Sequence, residues 1–448
     1  MTTSESSSWA SINETHNPDL RSWVTGSDCP EKGFSIQNLP FSVFRGAPDE
    51  PWRVGVAIGD QVLDFAALAR TGLLDGRAQA ACLAGLADCL NGLMALGSDH
   101  WSALRLSLSR LLRMGAVHAD RASQCLVPME QAEFRMPVAI GDYTDFYTSI
   151  YHAENGGRMR RPEAPLTPNY VWVPIGYHGR VSSIGISGQR VFRPKGQLGP
   201  GSDNMPRFSP CEKLDFELEL AVYMGTGNGQ GTSIGVDAAE RHIFGISLLN
   251  DWSARDIQFW ESAPLGPFLA KNFASTVSPW VVTWEALQPF RAEASRPAGS
   301  PRPLPYLFSE RDRRMGGLDI QLSVSIQSQR MRQHGLAPET LAVTNARHAF
   351  WTIPQLVAHH TSNGCNLRTG DMLGTGTLSG PTEDSLGCLF EMTRDGRHSV
   401  SLPGGENRTY LEDFDSITIE GRCGSEHYAA IGFGSCTAMV WPAPHGGG

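Results

Sequence analysis

The chain has 448 residues, 41% hydrophobic and 19% charged, enough for a sizeable core in one large domain plus a smaller one. Its formal net charge of −9 argues against a nucleic-acid partner, which needs a basic face, and no apolar run is long enough to span a bilayer. The nine cysteines are odd in number and free of C-x-x-C spacing, so reduced thiols in a cytoplasm are expected rather than a disulfide frame or a zinc site.

The start, Met1 to Ser8, has neither a basic nor an apolar segment, so no secretory signal is expected. With 48 glycines and 29 prolines, the chain is read as rich in turns between short strands, mainly β. Residues 1–33 carry little periodicity and are expected to be a flexible N-terminal arm. From Phe34 the pattern alternates. Arg53-Val-Gly-Val-Ala-Ile and Gln61-Val-Leu-Asp-Phe flank a Gly59-Asp60 turn, the signature of a hairpin. Apolar residues at helical spacing follow in 65–70, 89–96 and 101–114, so 34–120 is expected to be a compact β-domain with a few helices. Residues 121–140 are expected to be a connector, and 141–448 the catalytic domain.

The segment from Asp142 to Arg161 gathers chemistry-bearing side chains. Asp145 suits a hard cation, Tyr147 and Arg161 suit an anionic substrate, and His152 suits proton transfer near neutral pH. Taken alone, the segment is equally well read as a polar loop. Tyr177 sits in a Gly-flanked turn, either presented to a cavity or packed; His178 is read as structural. Asp215-Phe-Glu-Leu-Glu-Leu-Ala-Val-Tyr alternates strictly and predicts a strand with Asp215, Glu217 and Glu219 on one face. Acids aimed into a cavity need a cation, so metal ligands are favoured over a solvated edge.

An apolar strand then ends in Asp251, a further oxygen ligand, and leads into a helical turn where Arg255 and Gln258 share a face. Asp256 is read as pairing with a nearby arginine. Lys271 lies in an apolar run, and burial there calls for an acidic partner. Residues 292–317, rich in Pro, Gly and Arg, are expected to be an extended surface loop. Residues 351–360 predict a helix with Thr352 as N-cap; His359 and His360, adjacent near its end, do not face one site and are read as capping and dipole contacts. The small-residue run from Met372, which contains Thr377, lets a ligand approach the backbone. Glu391, among apolar neighbours, needs a partner, and a histidine is the obvious one.

In this order the segments resemble the fumarylacetoacetate hydrolase family. The resemblance runs from about Phe34 to Pro442 and is carried by Gly141-Asp-Tyr-Thr-Asp-Phe-Tyr, Asn250-Asp-Trp-Ser-Ala-Arg-Asp-Ile-Gln and Asn363-Gly-Cys-Asn-Leu-Arg. It implies a mainly β (α+β) chain: a small SH3-like N-terminal barrel, then a mixed β-sandwich roll, assembled as a cytoplasmic homodimer. It implies a C–C bond hydrolase that splits 4-fumarylacetoacetate, a diketo dicarboxylic acid, into fumarate and acetoacetate at the end of tyrosine and phenylalanine catabolism. The alternative on the same fold is a hydrolase or decarboxylase of another acylpyruvate-like acid.

The resemblance also implies Ca²⁺ and/or Mg²⁺ held by Asp145, Glu217, Glu219 and Asp251, with Lys271 and Ser275 counted into the metal site. His152 is implied as general base oriented by Glu391. Arg255 and Lys271 would surround the reacting carbonyl, and Tyr147, Arg161, Tyr177, Gln258 and Thr377 would contact substrate. Two residues depart from the family pattern: Ser262 stands where a substrate-touching tyrosine is usual, and Ser275 replaces a threonine. The N-terminal arm and the Arg-rich stretch near 310–314 are longer than usual.

Overall fold

The computed structural model describes residues 11–27, 33–201 and 204–444. Arg53–Ile58 and Gln61–Asp64 form the expected hairpin, turning at Gly59. Gly59 has φ +60°, and a Cβ there would lie 2.7 Å from the Ser27 nitrogen, so the turn requires glycine on both counts. The hairpin belongs to a five-stranded antiparallel sheet in the order Leu126–Pro128, Gln61–Asp64, Arg53–Ile58, Phe41–Arg45, Glu133–Arg135. The stretch read as a connector therefore supplies two strands. Each is only three residues long, too short for periodicity to reveal. Helices cover this sheet, beginning with Phe65–Thr71, whose first N–H groups are capped by the Asp64 carboxylate. One of them, Gly76–Ala84, was not expected from the sequence.

The expectation of a flexible arm is corrected for residues 11–27. Thr15 and His16 are buried, Asn13 Nδ2 donates to Glu285 Oε1 at 2.8 Å, and Arg105 Nε donates to Thr15 Oγ1 at 3.0 Å. Residues 1–10 and 28–32 lie outside the described residues.

The rest of the described chain builds two large sheets and four two-stranded ones. The first is mixed and eight-stranded: Gly176–His178, Tyr143–Phe146, Met372–Gly374, Leu218–Met224, Ile243–Asp251, Ser275–Val277 and Ile184–Ile186 in order, with Val282–Thr283 also paired to Ile243–Asp251. The second has five strands: Glu339–Asn345, Gln321–Gln327, Ser416–Cys423, Ile431–Trp441 and Arg190–Phe192. Leu322, Val324 and Ile326 alternate with polar residues and join one core with Leu218, Leu220, Val222 and Met224 of the first sheet. The opposite face of that first sheet, through Ala221, Tyr223 and Phe244, shares a core with Phe41 and Trp101 of the N-terminal domain. The central strands are thus buried on both sides.

Two further expectations are corrected. Residues 293–304 run at the surface without helix or strand, as expected, but the end of the stretch forms the helix Glu310–Met315, N-capped by Ser309, and Asp312 in it accepts from Thr352 Oγ1 at 2.8 Å, so that end is packed rather than extended. The strand read over 215–223 is broken. Leu214–Asp215 pairs with Ser253–Ala254, while Leu218–Met224 pairs with Ile243–Asp251, and the irregular step falls at Phe216 and Glu217. Thr352 does cap the helix Ile353–Thr361. His360 Nε2 meets Thr144 Oγ1 at 2.9 Å and His359 Nδ1 meets Tyr306 OH at 3.1 Å, side-chain contacts rather than caps. The described cysteines are all free, and no described helix is long and apolar enough to cross a membrane.

Candidate active site

The first sheet places its acids at strand ends. Asp145 is carried by Tyr143–Phe146, Glu219 by Leu218–Met224, and Asp251 ends Ile243–Asp251; Glu217 sits at the irregular step. All four are buried, and one oxygen from each lies within 4.8 Å of the others. Close approach depends on the glycines of Met372–Gly374 and the residues after it. Gly374 is in register with Asp145, and a Cβ there would lie 2.4 Å from Asp145 Oδ1. The Gly376 N–H donates to Asp145 Oδ1 at 3.1 Å and to Glu219 Oε2 at 3.0 Å.

The surrounding cations do not balance this charge. Arg255 donates to Asp215 Oδ2 at 2.9 Å and Glu217 Oε1 at 2.6 Å. Lys271 Nζ donates to Glu217 and, at 3.1 Å, to Asp251. Five buried carboxylates (Asp145, Asp215, Glu217, Glu219, Asp251) face two cations (Arg255, Lys271), a formal excess of three negative charges were all five ionised. Burial, then the neighbouring carboxylates, raise Asp145 to about 8 and push Glu219 well above the usual carboxylate range. Burial also disfavours the Glu217 anion, but Lys271 and Arg255 outweigh it and hold Glu217 below that range. Glu219 Oε1 is buried with no protein donor. An all-oxygen cage with surplus charge and an unpartnered oxygen fits a hard divalent cation.

Lys271 meets the cage as a donor to its carboxylates. Burial opposes its charge, but Asp251 and Glu217 raise its pKa above the ordinary lysine value, and an ammonium has no lone pair to give. Ser275 Oγ donates to Asp251 Oδ1 at 2.5 Å, and Tyr177 OH to Asp251 Oδ2 at 3.0 Å, so both hold a cage carboxylate in place.

The second assembly lies beside the cage. His152, in the helix Ile150–Arg160 capped by Ser149, places Nδ1 2.6 Å from Glu391 Oε2. Glu391 comes from the short helix Leu389–Met392, far along the chain. Its carboxylate also accepts from Ser379 Oγ at 2.7 Å, Asn155 Nδ2 at 2.9 Å and Cys388 Sγ at 3.1 Å. Burial raises its pKa, but His152 and these donors outweigh that and hold it below the usual range. Burial and then Glu391 push the Cys388 thiol well up, so Cys388 acts as an S–H donor.

Both assemblies border one open cavity of about 790 Å³. Asp145, Tyr147, His152, Arg161, Tyr177, Glu217, Arg255, Gln258, Lys271 and Thr377 line it, so the structure brings together side chains from six separated stretches. Tyr147 packs edge-on against His152, and Thr377 Oγ1 is buried without a protein partner. Glu219, Asp251 and Glu391 stand behind the wall, touching it through the bonds given above, and Ser275 reaches it through Asp251. Asp256 is not paired with an arginine. It accepts from the Glu212 N–H at 2.6 Å and the Lys213 N–H at 3.2 Å. Ser262 Oγ turns back to the Gln258 carbonyl at 2.5 Å. Sequence reasoning grouped Asp215 with the metal ligands, whereas it accepts from Arg255 and from the Leu389 and Phe390 N–H groups, and it gave no role to Asn155, Ser379, Cys388 or Arg160. The strict alternation of 215–223 signalled Asp215, and the Arg160-Arg161 pair signalled Arg160; nothing local signalled the others.

Two family descriptions match the chain: "Fumarylacetoacetase N-terminal" over residues 37–137 and "Fumarylacetoacetate (FAA) hydrolase C-terminal" over 143–441. Among similar proteins, the fumarylacetoacetase of Oryza sativa subsp. japonica is 46% identical over 95% of this chain and 98% of its own length. That of Homo sapiens is 41% identical over 92% and 97% respectively. The solved fumarylacetoacetate hydrolase of Exiguobacterium antarcticum has a TM-score of 0.50 at 16% identity, covering 90% of this chain and 99% of that one, a likeness of fold. With its sheets, its carboxylate cage and these matches over nearly its whole length, the chain belongs to the fumarylacetoacetate hydrolase family.

Proposed function

We propose that the protein is a hydrolase that cleaves the C–C bond of 4-fumarylacetoacetate to fumarate and acetoacetate, the last step of tyrosine and phenylalanine catabolism. The observation that carries this reading is the placement of a His152–Glu391 dyad and a four-carboxylate cage on one cavity, in a chain 41–46% identical to fumarylacetoacetases.

His152 Nδ1 is engaged by Glu391, which leaves Nε2 as the atom that takes a proton from water. Glu391 fixes the ring and stabilises the imidazolium that results. The hydroxide adds to a carbonyl carbon of the β-diketone, and Arg255, Gln258 and Lys271, which line the cavity, would stabilise the oxyanion. The C–C bond then breaks, its electron pair passing to the acetoacetate fragment as an enolate, and His152 returns the proton. Asp145, Glu217, Glu219 and Asp251 would hold a divalent cation, Ca²⁺ or Mg²⁺, which supplies Lewis-acid polarisation of the diketone oxygens. Tyr147, Arg161 and Thr377 would orient the substrate. The family resemblance also supports a homodimer, and the free thiols suit a cytoplasmic setting.

Incubation with fumarylacetoacetate, with and without a chelator, tests the reading. Fumarate and acetoacetate should appear and chelation should suppress them. Release of carbon dioxide, or turnover only of a shorter acylpyruvate, would replace the reading with its alternative.

A further inference from the structure

Four cationic side chains line the cavity: Arg160, Arg161, Arg255 and Lys271. Arg255 and Lys271 are bound to buried carboxylates. Among the described residues no acid lies within ion-pair distance of Arg160. Asp395, the acid that acts on it most, is engaged by Lys213 Nζ at 2.7 Å and Tyr410 OH at 2.8 Å. Arg161, at the C-cap with φ −139°, leaves the helical track and donates to the Pro165 carbonyl at 3.2 Å. Neither arginine is neutralised by a described residue.

Arg160 is nonetheless held. Its guanidinium lies 3.7 Å from the centroid of the Phe259 ring and 6.0 Å from that of Phe390, both residues of the cavity wall. Stacking engages the face of the guanidinium and leaves its in-plane N–H donors free, the edge that grips a carboxylate bidentately. Arg160 is exposed at the cavity wall, where partial burial and then the nearby Arg255 lower its pKa, so an incoming anion meets it without displacing a protein partner.

We propose that Arg160, stacked on Phe259, is a specificity-determining residue that binds one terminal carboxylate of the substrate and so selects dianionic over monoanionic diketo acids. The assignment rests on the hydrolase reading above.

The test uses three compounds: fumarylacetoacetate; acetylacetoacetate, which lacks the fumaryl carboxylate; and fumarylacetone, which lacks the acetoacetate carboxylate. In the wild type and in Arg160→Gln, kcat/KM for the dianion is divided by that for each monoanion, a ratio independent of the folded fraction. One ratio should fall about ten- to a hundredfold in the variant, the scale of a lost charged hydrogen bond, and the other should hold. The ratio that falls names the carboxylate. Two unchanged ratios, or two that fall together, overturn the proposal. Wild-type protein that cleaves none of the three would count against the hydrolase reading alone. Calorimetry of fumarate and acetoacetate binding then decides for Arg160: about tenfold weaker binding of either in the variant supports it, and unchanged binding of both overturns it.

Discussion

Two histidines in this molecule meet glutamates far away in sequence, and the two pairs are built to opposite ends. His152 presents Nδ1 to the carboxylate of Glu391 at 2.6 Å, so a proton on the ring faces an anion. His16 meets the backbone carbonyl of Glu285 through Nε2 at 2.8 Å, and its Nδ1 accepts the Asn13 N–H at 3.0 Å. The Glu285 carboxylate is turned away, accepting from Asn13 Nδ2 and from Ser102 Oγ. Burial, with the Arg105 guanidinium, pulls His16 down to about 4 and keeps it neutral. Which atom of the glutamate the ring touches sets whether a ring proton faces an anion or a neutral carbonyl.

The largest effect should come from breaking the first pair. Glu391→Gln and His152→Ala should each lower kcat by roughly 10²–10⁴-fold, the usual worth of a positioned general base. The double variant should cost little more, because effects within one unit are not additive. Bound calcium or magnesium, read by elemental analysis, should be unchanged in all three. Costs that multiply in the double variant would show that the two residues act separately.

Breaking the second pair should be visible only in stability. The folded pKa of His16 lies below its value of about 6.5 in the unfolded chain, so on acidification the unfolded chain takes the proton first. The stabilisation is complete above about pH 6.5 and is lost progressively as pH falls to about 4, amounting to about 3 kcal/mol. Urea unfolding across this window should show a smaller loss in His16→Gln by about that amount, with kcat unaltered. Parallel pH profiles for the two proteins would mean that the ring is protonated in the fold.

The cage offers a sharper contrast with the satisfied carboxylate of Glu391. Glu219→Gln should keep or raise the cation-free melting temperature, since burial and the neighbouring carboxylates already disfavour the Glu219 anion and a neutral amide replaces it. It should also abolish the stabilisation that calcium or magnesium gives the wild type, about 2.7 kcal/mol at a hundred times Kd. A full cation response in the variant would place the ion elsewhere. The smallest effect belongs to Cys388. Cys388→Ala removes one of the four groups bonded to Glu391 and should lower kcat about tenfold or less, with recovery in Cys388→Ser. No change in either variant would make the thiol a filler of space.

Much of the site was legible in the sequence because buried acids in apolar surroundings have few explanations. Glu217, Glu219, Asp251 and Glu391 stood out on that ground alone. Asp215 did not separate from its neighbours, because strict alternation hides a break at Phe216 and Glu217 that depends on a change of strand partner. Arg160 and Arg161 are indistinguishable by type; the end of a helix and a ring from another helix set them apart. The arm carries no periodicity because its order comes from polar contacts such as Asn13 with Glu285, which local pattern cannot encode. The strands Leu126–Pro128 and Glu133–Arg135 were lost for the same reason: three residues gain their identity from partners distant in the chain.

The eight-stranded sheet shares its outward face with the N-terminal domain, through Ala221, Tyr223, Phe244 and Met372. Cutting the chain between the two family segments would therefore strip the catalytic half of its wrapping and leave an apolar sheet face open to water. The two segments are separate in sequence but share one core. Trp101 in one and Trp252 in the other are both buried, and their fluorescence should report a single unfolding transition; two resolved transitions would show that each half stands alone.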